Sequence, residues 1–194
     1  MKKILVMLLA LTLAFSMFSC GGDEQIEAFV AAIEETNPNT LTVTVKQESE
    51  LGTLNAVYNT VYAEDGSFVM EYAYDVFNSA ATSATEGVVS TKTGTVTCDK
   101  DGNYSDGGEF KGKNETSTGL TIDLEYKKFE NYTISQDGTV LTAEISADIS
   151  ENVLGINLGV DSVLVITRAG NQVSTVSLVY TTEQGKVTIL VSYN

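Results

Sequence analysis

Two hydrophobic periods divide the chain. Between Asp23 and Thr36 the apolar residues Ile26, Phe29, Val30 and Ile33 recur at helical spacing, with Ala28, Ala31 and Ala32 as good helix formers between them. Asp23 and Glu24 stand in the first turn, where the helix dipole favours acids. Asn37-Pro38-Asn39, holding the only proline of the chain, stops the helix. From Thr40 onward the period is two. Leu41, Val43 and Val45 alternate with polar residues, and Phe68, Met70, Tyr72, Tyr74 and Val76 share one strand face opposite Glu71 and Asp75. Further stripes are Ile122-Leu124-Tyr126, Leu141-Ala143-Ile145, Val176-Leu178-Tyr180 and Val187-Ile189-Val191-Tyr193. One-sided alternation is the pattern of an antiparallel sheet with one face covered. Turn chemistry at Ala63-Glu-Asp-Gly66, Gln136-Asp-Gly138, Ala169-Gly-Asn171 and Glu183-Gln-Gly185 separates the runs as hairpins, giving a meander of about nine strands. Ser150 to Leu158 reads either as a short helix crossing the sheet or as a loop. The expected fold class is α+β, mainly β: an N-terminal helix packed on a long curved antiparallel sheet, an incomplete barrel.

The segment before this pattern reads as an address. Met1-Lys2-Lys3 is a short basic start, and Ile4 to Phe15 is an apolar run interrupted by Thr12 alone, too short for a comfortable membrane span. Ser16-Met-Phe-Ser-Cys20-Gly-Gly22 follows and resembles a bacterial lipobox, in which a small residue precedes the acylated cysteine. Met17 replaces the usual Leu, and Phe18 is bulkier than the family's small residue. The resemblance implies removal of residues 1–19 as a lipoprotein signal peptide, a diacylglyceryl group on Cys20 with a short tether over 20–22, and a single domain over 23–194. It places the protein outside the cytoplasm, in a bacterial cell envelope, with two acyl chains holding it to a membrane.

Composition narrows the functions open to the domain. Losing Lys2 and Lys3 with the leader takes the formal charge from −15 to −17. A surface this acidic repels phosphate backbones and anionic headgroups, so nucleic acid is not an expected partner and membrane contact is left to the lipid. Histidine is absent, which removes Ser-His-Asp triads, Cys-His pairs and His-ligated metals. With Cys20 acylated, Cys98 has no intramolecular partner, and the flank Val96-Thr97-Cys98 suits a buried, inert thiol.

Few residues carry chemistry. Asp99, Asp101 and Asn103 occupy positions 1, 3 and 5 of a pattern that looks like an EF-hand calcium loop, the one metal expectation here. The pattern then fails: position 6 is Tyr104 rather than Gly, and position 12 is Phe110 rather than Glu. A polar hairpin tip is the plainer reading. The pairs Glu71/Asp75 and Asp123/Glu125 read as solvated outer faces of strands, with no cleft for acid–base work. Asn114-Glu-Thr116 and Asn131-Tyr-Thr133 match the glycosylation sequon but are polar loop and strand residues in a bacterial setting. The stripe Phe68, Met70, Tyr72, Tyr74 reads as core, or as the wall of a ligand cavity.

The order of elements resembles the LolA/LolB-like lipoprotein-carrier fold, an open barrel with a helical lid. The resemblance rests on the helix running into Leu41-Thr-Val-Thr-Val45 and on the closing runs Val163 to Asn171, Val173 to Thr182 and Lys186 to Tyr193. It covers element order and no diagnostic motif, so no functional residue is carried over. It implies a cavity holding lipid or acyl chains. The reading is a non-enzymatic binding module for an apolar or amphiphilic ligand. An envelope interaction protein without a small ligand is the alternative, and a carboxylate-based hydrolase comes third.

Overall fold

The computed structural model describes residues 22–50, 52–77, 88–104 and 122–194. The leader, Cys20 and the Asn114 sequon lie outside the described residues. Helix α1 spans Gly22–Glu35. Nine strands follow: β1 (Thr40–Ser49), β2 (Gly52–Tyr62), β3 (Phe68–Phe77), β4 (Val88–Cys98), β5 (Tyr132–Ile134), β6 (Val140–Ile145), β7 (Ser162–Ala169), β8 (Gln172–Thr182) and β9 (Gly185–Tyr193), with a one-turn helix α2 (Ser150–Leu154) between β6 and β7. All pairings are antiparallel and the strand order is β4-β3-β2-β1-β9-β8-β7-β6-β5. The sheet is not closed into a barrel. It is two meanders, β1–β4 and β5–β9, joined where β9 lies against β1 from Leu41↔Tyr193 to Glu48↔Lys186. Thr40 and Asn194 each donate a backbone N–H to the other's carbonyl at 3.0 Å, closing the end of that seam.

Register makes one face continuous. A single row runs Lys92, Tyr74, Ala56, Val45, Ile189, Leu178, Leu164, Ala143 and Tyr132 across the strands from β4 to β5. Only Lys92 in that row carries a charge. The period of two is what puts these residues together, because a slip by one position would turn the whole stripe to solvent.

The two halves of this face are buried differently. Under β6–β9, Leu141, Ile145, Leu164, Ile166, Val176 and Leu178 are fully buried against Phe29 and Ala32 of α1 and Val153 and Leu154 of α2. Arg168 steadies the Phe29 ring, with its guanidinium carbon 5.3 Å from the ring centroid and its Nε donating to the Gly138 carbonyl at 2.7 Å. The helix expected to cover the sheet therefore covers about half of it. Ser150 to Leu158 resolves as the short helix α2, ended by Gly155 in the left-handed region. Its buried Ser150 donates to the Ala147 carbonyl and accepts from the Leu158 N–H.

Ile122-Leu124-Tyr126 corrects the strand expected there. Residues 122–131 form turns, with Asp123 Oδ1 accepting the Glu125 N–H at 3.0 Å and the Asp123 N–H donated to Val153. With the N–H groups of Asp123 and Glu125 committed to these bonds, the segment joins no ladder. Leu124 and Phe129 are nonetheless buried in the core, and Phe129 stacks on Tyr132 at 5.4 Å. Asp123 and Glu125 are exposed, as on the strand reading, but not through strand alternation.

The end of α1 is tied to the β7–β8 hairpin by one hydroxyl. Thr36 Oγ1 donates to the Ala32 carbonyl at 2.6 Å and accepts the N–H of buried Val173 at 2.8 Å. Thr36→Val leaves that N–H without a partner and is expected to lower stability by about 1–3 kcal/mol. Urea denaturation checks this, with Thr36→Ser, which retains the hydroxyl, expected near the parent.

Candidate functional site

The β1–β4 half of the apolar face has no described helix over it: Leu41, Thr60, Phe68 and Val96 are buried there, while Val45, Tyr58, Tyr62, Met70 and Tyr74 are half-buried. Two adjoining cavities lie along it and the β1–β9 seam. The first, about 300 Å³, lies between the C-terminal end of α1 and the β1–β9 seam, lined by Ile33, Thr36, Leu41, Val43, Val191 and Tyr193 among others. The second, about 350 Å³, lies over β2 and β3, lined by Tyr58, Thr60, Phe68, Met70 and Tyr104. Leu41, Val43 and Tyr62 line both. The two are thus adjoining parts of one groove, with Tyr62 at the neck. Each is near the lower end of the roughly 300–1,000 Å³ usual for small-molecule sites.

Aromatic contacts fix the walls. Phe68 packs between Tyr62 at 5.7 Å and Tyr104 at 6.0 Å, both tilted or edge-on. Burial pushes the phenols of Tyr104 and Tyr193 above their ordinary range, and in each case a neighbouring Tyr62 adds to the effect. Tyr62 of β2 lines both cavities, Tyr193 of β9 the first and Tyr104, after β4, the second. No charged side chain lines either cavity among the described residues.

The stripe proposed as a cavity wall is divided by the structure. Phe68 and Met70 line the second cavity. Tyr72 and Tyr74 do not; their rings stack on each other at 6.0 Å further along β3. Tyr72 lies across Gly94, its direct partner on β4, where an added Cβ would run into the ring. Lys92 sits over the Tyr74 ring at 5.7 Å. Tyr74 instead borders a third hollow of about 330 Å³ with Val45, Leu54, Tyr58 and Asp75. Tyr58 and Tyr62 were not singled out from sequence, Tyr193 was read only as part of a strand stripe, and Tyr104 only as a loop position. On β2 and β9 the signal was alternation with polar neighbours, and the four come from β2, β9 and the loop after β4.

Asp99, Asp101 and Asn103 form a closed turn after β4. Asp99 Oδ1 accepts the N–H groups of Asp101 at 2.9 Å and Asn103 at 2.8 Å, and the Asn103 side-chain amide donates to both Asp99 oxygens. These bonds, the Asn103 side chain first, hold the Asp99 carboxyl below the usual range. The carboxylate is thus directed at its own loop, and among the described residues no three His, Cys, Asp or Glu side chains converge on a common point. Cys98 is buried, and desolvation first and the Asp99 charge second push its thiol up.

Glu71 and Asp75 alternate with Met70, Tyr72 and Tyr74 on β3. Asp75 accepts from the Asn55 side chain and N–H at 3.1 and 2.9 Å and from Thr91 Oγ1 at 2.9 Å, joining β2, β3 and β4. The Asn55 side chain first, then its N–H and Thr91, lower the Asp75 pKa. A carboxyl held lower in the folded state contributes stability above its unfolded value, near 3.9, and loses it as pH falls through the folded value. Asp75→Asn is expected to flatten the acid limb of a stability–pH titration below about pH 4. An unchanged limb would show that the Asp75 bonds do not carry it.

No protein-family model matches the chain. Nor does any curated protein. Among solved structures it is similar to LprF from Mycobacterium bovis, at 13% identity over 88% of this chain and 92% of that one, with a TM-score of 0.42. At that score and identity the likeness carries no argument about function, and the functional reading rests on the groove and the leader.

Proposed function

We propose that this protein is a membrane-anchored, extracytoplasmic bacterial lipoprotein whose domain binds an apolar or amphiphilic ligand without transforming it. The observation that carries the reading is the groove: the apolar face of a nine-stranded sheet, sealed by helices on one half and left half-open on the other. A structural lipoprotein gains nothing from leaving Tyr58, Met70 and Tyr62 accessible, since apolar area retained in water forgoes about 25 cal/mol per Å². The lipobox-like Ser16–Gly22 supports the anchor and the compartment.

The test is native mass spectrometry of the Cys20→Ser protein, exported without an acyl group, alongside titration with the uncharged fluorophore N-phenyl-1-naphthylamine. Co-purifying mass and saturable fluorescence enhancement are expected. The chain has no tryptophan, so the probe signal is read without indole emission. No adduct and no saturable enhancement would sink the proposal. Mass spectrometry of the native N-terminus tests the anchor separately, an unmodified Cys20 being the contrary result.

A further inference from the structure

We propose, building on the binding reading above, that one flexible unbranched chain fills both cavities at once, lying across the strands over β1, and that Val43 sets how long a chain the groove accepts.

The floor of the groove is continuous. Leu41, Val43 and Tyr62 line both cavities. Val43 is in register with Val191 on β9 and with Tyr58 on β2. Val191 lines the first cavity and Tyr58 the second. The row Val191–Val43–Tyr58 therefore runs from one cavity into the other, with β1 in the middle. The lining reaches Val176 on β8 at one end and Met70 on β3 at the other. These are five neighbouring strands, and four spacings of about 4.8 Å make the floor about 19 Å long.

A compact ligand covers one cavity and leaves the apolar lining of the other in water. Two short ligands cover both, but each loses its own translational and rotational freedom. A single chain loses it once and brings its second half to the second cavity at high effective concentration. Flexibility is needed at the crossing. Tyr62 is braced there by buried Phe68, ring to ring at 5.7 Å, and Phe68 in turn by Tyr104 at 6.0 Å. The ligand must bend past packed rings, which a rigid ring system cannot do. Val43 is half-buried on the middle strand of the five, so a longer side chain there enters the groove rather than the core.

The experiment displaces N-phenyl-1-naphthylamine from the full Cys20→Ser protein with 1-octanol, 1-decanol, 1-dodecanol and 1-tetradecanol, which share one head group and differ only in length. Affinity is expected to rise by up to about fourfold per methylene through 1-tetradecanol. Equilibrium dialysis of radiolabelled 1-tetradecanol is expected to give one alcohol per protein. A plateau from 1-octanol or 1-decanol onward, or two alcohols per protein, overturns the single spanning chain while leaving the binding function standing. In Val43→Phe the advantage of 1-tetradecanol over 1-octanol is expected to shrink at least about tenfold, the contact of roughly two methylenes. An advantage equal to the parent's overturns the assignment of Val43. The length series on the parent protein decides the first point whether or not that variant folds. A fluorophore that never binds removes the binding reading itself, and the spanning chain with it.

Discussion

Phe29→Ala is expected to destabilise the protein by about 3–5 kcal/mol, the largest effect of any single truncation on α1. Phe29 is fully buried, and Ala32 is the other α1 residue excluded from water to that degree. A fourteen-residue helix is marginal alone in water, so α1 is held by what that face touches. Removing the ring opens a void among side chains of β6–β8 that are themselves fixed in a sheet and cannot collapse into it. It also strips the Arg168 guanidinium of its aromatic face while its Nε stays bound to Gly138. Domains of this kind hold about 5–15 kcal/mol in total, so the loss is about a fifth or more of what keeps the chain folded. Urea denaturation followed by far-ultraviolet circular dichroism measures it. Val30→Ala, on a partly buried neighbour, is expected to cost distinctly less. Because Ile33 and Thr36 at the end of α1 line the first cavity, the same substitution is expected to weaken fluorophore binding well before global unfolding.

Gly185→Ala is the second large effect. Gly185 opens β9 at φ +123°, a conformation that L residues rarely adopt, and a Cβ there would run into the Glu48 carbonyl on β1. The backbone conformation alone costs on the order of 1–3 kcal/mol. The collision adds to it, because the obstacle is main chain already paired with Lys186. Either the β8–β9 turn or the end of β1 must move, unzipping the seam from Glu48↔Lys186 inward. Gly66→Ala separates the two contributions. Gly66 also has positive φ, at +83°, but nothing lies within 4 Å of an added Cβ. Denaturation midpoints are expected to fall for both variants, by clearly more for Gly185→Ala. Equal shifts would show that contact with Glu48 adds nothing.

The parts of this fold that local chemistry decides were legible from sequence. Gly66, Gly138, Gly170 and Gly185 all take positive φ at hairpins read from their flanking residues. The apolar spacing of Ile26, Phe29, Val30 and Ile33 marked the buried face of α1, and alternation marked the open nine-stranded sheet. What failed was alternation without strand backbone: Ile122, Leu124 and Tyr126 keep the period, but the Asp123 carboxylate takes the Glu125 N–H that a ladder would need. The site was less legible. Phe68 and Met70 lay in a visible stripe, yet whether a stripe faces a helix or a cavity depends on coverage, which period two does not encode. The neck of the groove needs Tyr62, Tyr104 and Tyr193 together, and that depends on β9 returning to β1, a pairing with no local signature.

That pairing also sets when the groove comes into existence. Within each meander the paired strands are consecutive in sequence, so they pair with less loss of chain entropy than the seam does. The seam joins Leu41 to Tyr193, about as non-local a contact as this sequence allows, and non-local pairing slows folding. Until β9 docks, the first cavity lacks the wall made by Val191 and Tyr193, and β1 presents an unpaired edge to any neighbouring chain. In stopped-flow refolding, ligand binding is therefore expected to appear only with the slowest phase, after most of the strand signal has returned. The same interval is when the acidic charge of the chain matters most, keeping half-built sheets apart until the last strand arrives.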